Sequence, residues 1–439
     1  STGISVYAPS IILSSLFGWN IYWTNIFMGG LLIIYTVSGG AKAVAYTQQL
    51  QLVIIFAGMF IAAYMVVHLL PEGVGFIDAL KVSGKLGKLN VITSGQNENG
   101  FDWTDRYNIW SGIIGGFFLA LSYFGTDQSQ VGRYLTAKSI RESRLGLLMN
   151  GMVKVPMQFA ILLIGTLVFA FYQFNKAPIF FNQVQVEKVA SSPSAEKLRT
   201  MQSRYDSLSV EKQAIVGQWV DIYKNGGELK NAEDALKAVN KETEAIRSDF
   251  KDILAKEKIG GDRNDTNYIF LRFVVDHLPE GLVGLLIAVI FLAAWGSIAA
   301  ALNTLASCTV VDFHKKFIVK NCTEGEDYTA SKWYTFGWGV FSIVVAMFAT
   351  NIGSLIEAVN VLGSLFYGVI LGVFLVAFYL KRVKGSAVFI SAIVIEIMVV
   401  ILFALSNIGF LWLNLVGALG VVLLSLILQG ILPRKNFEA

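Results

Sequence analysis

Ala293 and Ser297 lie four residues apart in a strongly apolar run, flanked by Ala294, Gly296, Ala299 and Ala300. On a helix such positions share a face, so the Ala293 carbonyl and the Ser297 hydroxyl converge. The small neighbours let a second helix come close. Two oxygens at a close approach suit a hard cation such as sodium, completed by carbonyls of an unwound partner segment. The competing reading is a hydroxyl that bonds back to its own helix and eases packing.

Three other places invite the same scrutiny. Residues 108–134 break their own hydrophobicity: Gly112, Gly115 and Gly116 loosen the run, and Ser122 to Gln128 turns it polar. Broken helices expose backbone groups, which a membrane tolerates only where a cavity is wet or lined by protein. Tyr123 offers a flat face and a hydroxyl there, unless it serves ordinary packing. Lys154 opens a long apolar run, where a charge at mid-bilayer would cost roughly 2.5 to 3.5 kcal/mol. It either faces a functional cavity or snorkels to the headgroups. Asn360 can donate and accept at once, which suits a polar solute or an interhelical clamp.

The elements that must hold these residues are apolar runs of the length that crosses a bilayer, about 20 residues. They cover residues 3–17, 20–38, 47–70, 108–124, 145–172, 281–311, 334–350, 355–380, 386–405 and 408–432, about ten spans. Of the 439 residues 54% are hydrophobic and only 15% charged, against roughly 25% charged in soluble domains. The expected fold is therefore an all-α polytopic membrane helix bundle, a single domain over 1–439 solvated by lipid. A net charge of +4 dispersed over short loops gives no signal for nucleic acid. Three scattered histidines have no metal-ligand spacing, and Cys308 and Cys322 form no disulfide framework.

Basic residues set the orientation. Arg133 to Arg144, His314 to Lys320, Lys381 to Lys384 and Pro433 to Lys435 follow every second span, and the turn at Gly39-Gly40-Ala41-Lys42 falls on the same side. That side is expected to be the cytoplasm, which places the C-terminus there and the chain in a plasma membrane of the bacterial inner-membrane kind. The opposite side carries an irregular loop, 71–107, and a charged insertion, 175–280. In the insertion Asn231 is expected to cap a helix with Leu236, Val239, Ile246, Phe250 and Ile253 at helical spacing, after a first helix from Ser194 to Lys224. This helical hairpin caps the bundle or docks an extracytoplasmic partner.

Three stretches resemble the sodium/solute symporter family, whose members carry sugars, sialic acid, proline, iodide and monocarboxylates. They are Tyr35-Thr-Val-Ser-Gly-Gly-Ala-Lys-Ala-Val-Ala-Tyr-Thr-Gln-Gln-Leu-Gln51, Tyr123-Phe-Gly-Thr-Asp-Gln-Ser-Gln-Val-Gly-Arg-Tyr-Leu-Thr-Ala-Lys138, and Ala293-Ala-Trp-Gly-Ser-Ile-Ala-Ala-Ala-Leu-Asn-Thr-Leu-Ala-Ser-Cys-Thr-Val-Val-Asp312. The resemblance spans nearly the whole chain apart from 175–280. It implies two inverted five-helix repeats of the leucine-transporter kind, with the chain entering at the third core helix. The same resemblance puts the main sodium site at Ala293 and Ser297, although Gly296 stands where a second hydroxyl is common. It makes Tyr123 an aromatic gate and Lys154, Asn360 and Gln128 candidate solute contacts. Ala120 replaces the asparagine of sugar carriers, which counts against a galactose-type site. Gln48 replaces a frequent aspartate, which implies one sodium ion per solute or merely a polar residue at a span end.

The expected function is sodium-coupled import of a small polar solute (a sugar, a polyol or an organic acid such as sialic acid or a monocarboxylate) by alternating access, with sodium as the only cofactor. The other reading is a transporter-like sensor or signalling input module, although the end at Ala439, soon after the last span, disfavours an appended kinase. An enzyme is not expected, because no nucleophile–base pair and no P-loop is present.

Overall fold

A computed structural model describes residues 2–90, 92–98, 100–135, 137–257, 259, 263–319, 323–348 and 355–431, apart from the side chains of 38–50 and 133. Helices account for nearly all of it. The chain begins with α1 (Thr2–Phe17), α2 (Ile21–His68) and α3 (Phe76–Lys85), then a two-stranded ribbon of β1 (Gln96–Asn97) and β2 (Gly100–Phe101). A π-helical turn, Ser111–Gly115, leads into α4 (Gly116–Thr126), followed by α5 (Gln128–Leu135) and α6 (Ile140–Phe174). The insertion holds α7 (Gln183–Ala190), α8 (Ala195–Lys224), α9 (Lys230–Lys256) and α10 (Ile269–His277). The last part is α11 (Glu280–Cys308) with a π-helical extension to Ile318, α12 (Glu324–Phe348), α13 (Leu355–Tyr379), α14 (Gly385–Leu405) and α15 (Phe410–Ile431).

Among the described residues six segments are long and apolar enough to cross a membrane: Gln51–His68, Ile140–Phe174, Glu280–Ile318, Leu355–Tyr379, Gly385–Leu405 and Phe410–Ile431. Thr2–Phe17, Ile21–Val37 and Ser111–Thr126 are shorter apolar helices, and residues 334–348 of the expected run at 334–350 lie in α12, its last two falling outside the described residues. Three local expectations need correction. The turn at Gly39-Gly40 does not form: the backbone continues as one helix, α2, of 48 residues. Two glycines cost a helix only about 1 kcal/mol each, and here helix-forming alanines and glutamines surround them. Asn231 is not a cap, because α9 starts one residue earlier with Leu229 at the N-cap position. The 71–107 loop is more regular than its composition suggests, since it holds α3 and the ribbon.

The chain divides into two compact units. The first comprises the described residues of Thr2–Asn90 and Met152–Leu355. In it α1, α2, α11 and α12 pack against one another. Small residues permit that approach: a Cβ on Gly29 or Gly339 would overlap Ile343 or Ile33 where α2 meets α12. The hairpin α8–α9 covers the ends of α6 and α10 in a core that includes Trp219, Val216, Leu236, Phe171 and Phe273, all nearly inaccessible. A second core joins Phe180, Tyr205, Phe250 and Leu254. Each such large side chain contributes roughly 1.5 to 3 kcal/mol on burial. The spacing expected for α9 holds, with Leu236, Val239, Phe250 and Ile253 buried and Ile246 half-buried.

Two charges lie inside this hairpin. Arg247 is paired with the buried Asp265 at 2.6 Å, and Asp265 also accepts the Phe181 amide at 3.0 Å. Lys212 is 5% exposed and donates to the Tyr172 carbonyl at 2.9 Å. Burial, reinforced by the neighbouring Arg247 charge, pushes its ammonium down from 10.5 to about 8.

The second unit comprises the described residues of Val91–Gly151 and Ile356–Ala439. Here α15 packs on α14, on α4 and on the π-helical turn. Helices α13 and α15 cross closely at glycines: a Cβ on Gly368 would lie 2.6 Å from the Asn414 carbonyl oxygen. Gly417 answers from the other side, where a Cβ would lie 2.9 Å from the Val369 amide nitrogen. Asn414 and Ser364, both fully buried, are joined by a 2.9 Å hydrogen bond at this crossing.

Replacing Gly368 by Leu should destabilise the purified protein by about 1 to 3 kcal/mol in denaturant unfolding, since backbone cannot move aside. Gly284→Ala, at a position in α11 where a Cβ meets nothing within 4 Å, should be neutral or stabilising. Lys212 predicts a pH effect of definite sign. Between pH about 8 and 10.5 the unfolded chain holds the Lys212 proton and the folded chain releases it, so stability rises with pH across that window. The thermal midpoint should climb from pH 7.5 to 9.5 relative to Lys212→Met. Parallel curves for the two proteins would contradict the burial of a charged ammonium.

Candidate functional site

In the second unit the helical run that begins at the π-helical turn ends at Asp127, whose backbone turns extended (φ −72°, ψ 114°), and α5 starts at the next residue. The break is held by specific polar contacts. One Asp127 carboxylate oxygen accepts from the Ser129 amide at 2.8 Å and the Ser129 hydroxyl at 2.6 Å, capping α5. The other accepts from the Tyr367 hydroxyl of α13 at 2.9 Å. Ser122 donates to the Tyr367 carbonyl at 2.7 Å, and Thr126 bonds back to the Ser122 carbonyl. The Ser129 amide at the start of α5 is thus capped by the adjacent Asp127, and side-chain bonds tie the break to α13.

Tyr123 is half-buried at this break, with its ring centroid 6.3 Å from that of Tyr367 and 5.0 Å from that of Phe124. Gln128 is exposed at the first position of α5. Asn360 lies seven residues before Tyr367, on the same face of α13, and is exposed. It makes no side-chain hydrogen bond among the described residues; Ser364, one turn on, is the residue that clamps α13 to α15. Glu357 pairs with Arg106 at the start of the same helix.

The remaining candidates belong to the first unit. Ala293 is half-buried and Ser297 exposed, one turn apart on α11, with Gly296, Ile298 and Ala299 buried beside them. The Ser297 hydroxyl makes no hydrogen bond among the described residues. Thr304 and Thr309 further along the run do bond back, to the Ala300 and Leu305 carbonyls at 2.9 and 2.7 Å. Trp295 stacks obliquely on Tyr35 of α2 at 6.1 Å. Lys154 is exposed on α6. The Gln48 side chain, the bonded state of Cys322 and the Gly39–Lys42 side chains lie outside the described residues, whereas Cys308 is a free thiol. Among the described residues no cluster of three or more His, Cys, Asp or Glu could hold a metal, so any cation on α11 would meet neutral oxygens.

Sequence reading had singled out Tyr123 and Asn360 but missed Tyr367, Asp127 and Ser122 as a connected set. A carboxylate in a polar break and a tyrosine two helical turns beyond Asn360 are visible in the sequence, but nothing there joins them.

A broken helix braced by tyrosines in one unit, and a small-residue helix carrying an unbonded serine in the other, are features of secondary transporters built from discontinuous helices. Comparison with solved structures agrees on the fold. The chain matches a Na+-coupled sialic acid symporter, solved substrate-bound and outward-open, with a TM-score of 0.67 and 20% identity over 98% of this chain and 71% of that one. The chain belongs to the sodium:solute symporter family, whose sequence model matches residues 3–193 and 250–395. The gap in that match falls within the 175–280 insertion. Among curated relatives, the sodium/sialic acid symporter NanT of Aliivibrio fischeri is 21% identical over 90% of this chain and 61% of its own length. The sodium-dependent multivitamin transporter of Oryctolagus cuniculus is 24% identical over 85% and 45%, and the human sodium/iodide cotransporter 29% over 39% and 25%. The chain thus spans between a quarter and three fifths of the length of these relatives.

The Asp127–Tyr367 bond can be weighed directly. Asp127→Asn and Tyr367→Phe should each destabilise the protein, with a coupling of about 1 to 2 kcal/mol in a double-mutant cycle. Additivity within about 0.3 kcal/mol would show that the two side chains do not act together.

Proposed function

We propose that the protein is a sodium-coupled symporter that imports a small polar solute by alternating access. The observation that carries this reading is the Ser297 hydroxyl, exposed and unbonded one turn below the Ala293 carbonyl on a face of α11 lined by small residues. With no hydrogen bond fixing its rotamer among the described residues, the hydroxyl can turn its two lone pairs toward a cation. Family membership and the sodium-coupled relatives support the same ion.

In this reading Na+ bound at Ala293 and Ser297 favours the outward-facing bundle, and solute entering over Tyr123 favours closure. Coupling follows only if each ligand prefers the occluded state to the open ones, because equal affinity shifts nothing. Tyr123 supplies the aromatic platform and Asn360 and Gln128 amide contacts within the second unit; Lys154, on α6, is a separate candidate cation for a solute's carboxylate or hydroxyls. Asp127 and Tyr367 hold the helix break that sets the Tyr123 ring. The C-terminus lies in the cytoplasm of a bacterial inner membrane, and the 175–280 hairpin faces outward, open to an extracytoplasmic partner.

Full-length protein in proteoliposomes should accumulate solute only with an inward sodium gradient, and Ser297→Ala should raise the sodium concentration for half-maximal uptake by about tenfold, the effect of roughly 1.4 kcal/mol at one ligand. Sugars, polyols, sialic acids and small acids, screened by thermal shift in sodium, identify the solute to use. An unchanged sodium dependence in Ser297→Ala would remove the assignment; binding without accumulation would mark a sensor instead of a carrier.

A further inference from the structure

Between the α8–α9 hairpin and the end of α6 lies a cavity of about 830 Å³, entirely within the first unit. That volume is in the range of sites for drug-sized ligands, roughly 300 to 1,000 Å³. Its lining is unusually one-signed. Lys85, Lys88, Lys212, Lys237, Arg247 and Lys251 face it, against two carboxylates, Glu244 and Asp265.

Those carboxylates do not neutralise the lysines. Asp265 is engaged by Arg247 and by the Phe181 amide. Glu244 is largely exposed, lies 4.0 Å from Arg247 and offsets the Lys212 charge less than burial and Arg247 oppose it. Lys85 has a partner outside the cavity lining, Glu233, at 3.1 Å. Lys88, Lys212, Lys237 and Lys251 have no carboxylate partner among the described residues. Lys88 rests over the Phe169 ring, 5.1 Å from its centroid, at the cavity wall. Lys212 is the most telling member. It is enclosed at the seam of α8 and α6, and the Tyr172 carbonyl is the only acceptor for its three N–H groups among the described residues. Burying an ammonium with so few partners is costly, so the fold keeps an unspent donor at the cavity wall. Apolar side chains, Phe169, Phe181, Ala177 and Ile269, also line it, with Arg247 over the Phe181 ring at 5.3 Å from its centroid.

We propose that this cavity is a binding site for an organic anion, one or more phosphate or carboxylate groups joined to an apolar portion, distinct from the transport pathway. The anion would take the free donors of Lys212, Lys237 and Lys251, while its apolar part lies along Phe169 and Phe181. Such a ligand could be a soluble metabolite or the headgroup of an anionic lipid, because α6 is itself apolar enough to cross a membrane and the cavity adjoins its end.

The test uses full-length protein in neutral detergent and three probes: glycerol phosphate, dioctanoyl phosphatidylglycerol and, as zwitterionic control, dioctanoyl phosphatidylcholine. Calorimetric titration should show binding of at least one anionic probe and none of the control. Binding of both anionic probes identifies a soluble anion; binding of phosphatidylglycerol alone identifies a lipid headgroup. The paired substitution Lys237→Glu/Lys251→Glu, on exposed and half-exposed positions that leave both cores intact, should weaken binding by about tenfold or more, the effect of losing charge-assisted hydrogen bonds. Lys212→Met should do the same with unchanged circular dichroism. Absence of binding by either anionic probe, or affinity unaltered by Lys237→Glu/Lys251→Glu, overturns the proposal. The assay needs no transport, so its failure leaves the symport reading standing, and the reverse.

Discussion

Lipid offers a main chain no hydrogen-bond partner, and that constraint orders everything else in this chain. It makes the spans helical, and it makes any interruption expensive. The interruption at Asp127 is accordingly braced on both sides, by the α5 cap through Ser129 and by the Tyr367 hydroxyl reaching across from α13. A break so maintained has to serve something other than stability. It sets the Tyr123 and Tyr367 rings side by side, 6.3 Å between centroids, at the proposed solute platform.

The same constraint explains why small residues recur where helices meet. Between lipid-solvated helices there is no hydrophobic driving force, so association depends on close packing and on buried polar links. Gly368 and Gly417 let α13 and α15 touch backbone to backbone, and the Ser364–Asn414 bond sits at that contact. On α11 the same economy of side chains leaves Ser297 exposed beside Gly296 and Ala299. A packing rule and an ion-binding requirement thus favour the same composition, which is why neither can be read from composition alone.

Much of this was legible in the sequence. Apolar length marked the helices from α13 to α15 to within a few residues, because span length is fixed by bilayer thickness. The amphipathic spacing of α9 was equally plain, as Leu236 to Ile253 repeat at helical period against a charged face. Short-range signals did less well. Paired glycines at 39–40 suggested a turn that the flanking helix formers override, and Asn231 suggested a cap at what is the second residue of α9. The set Ser122, Asp127 and Tyr367 was out of reach, because it joins residues some 240 positions apart and no periodicity reports a tertiary contact. Lys212 and the lysines around it were hidden likewise: in sequence they are ordinary members of a charged insertion, and only folding turns them toward one cavity.

The central claim is a sodium ion held by the Ala293 carbonyl and Ser297 hydroxyl. Hydrogen–deuterium exchange of the full-length protein, compared in NaCl and in KCl, reads that helix directly. The account predicts slower exchange in peptides covering Ala293 to Cys308 in sodium alone, and no such difference in Ser297→Ala. Equal exchange in the two salts, or protection that survives the loss of the hydroxyl, would contradict it.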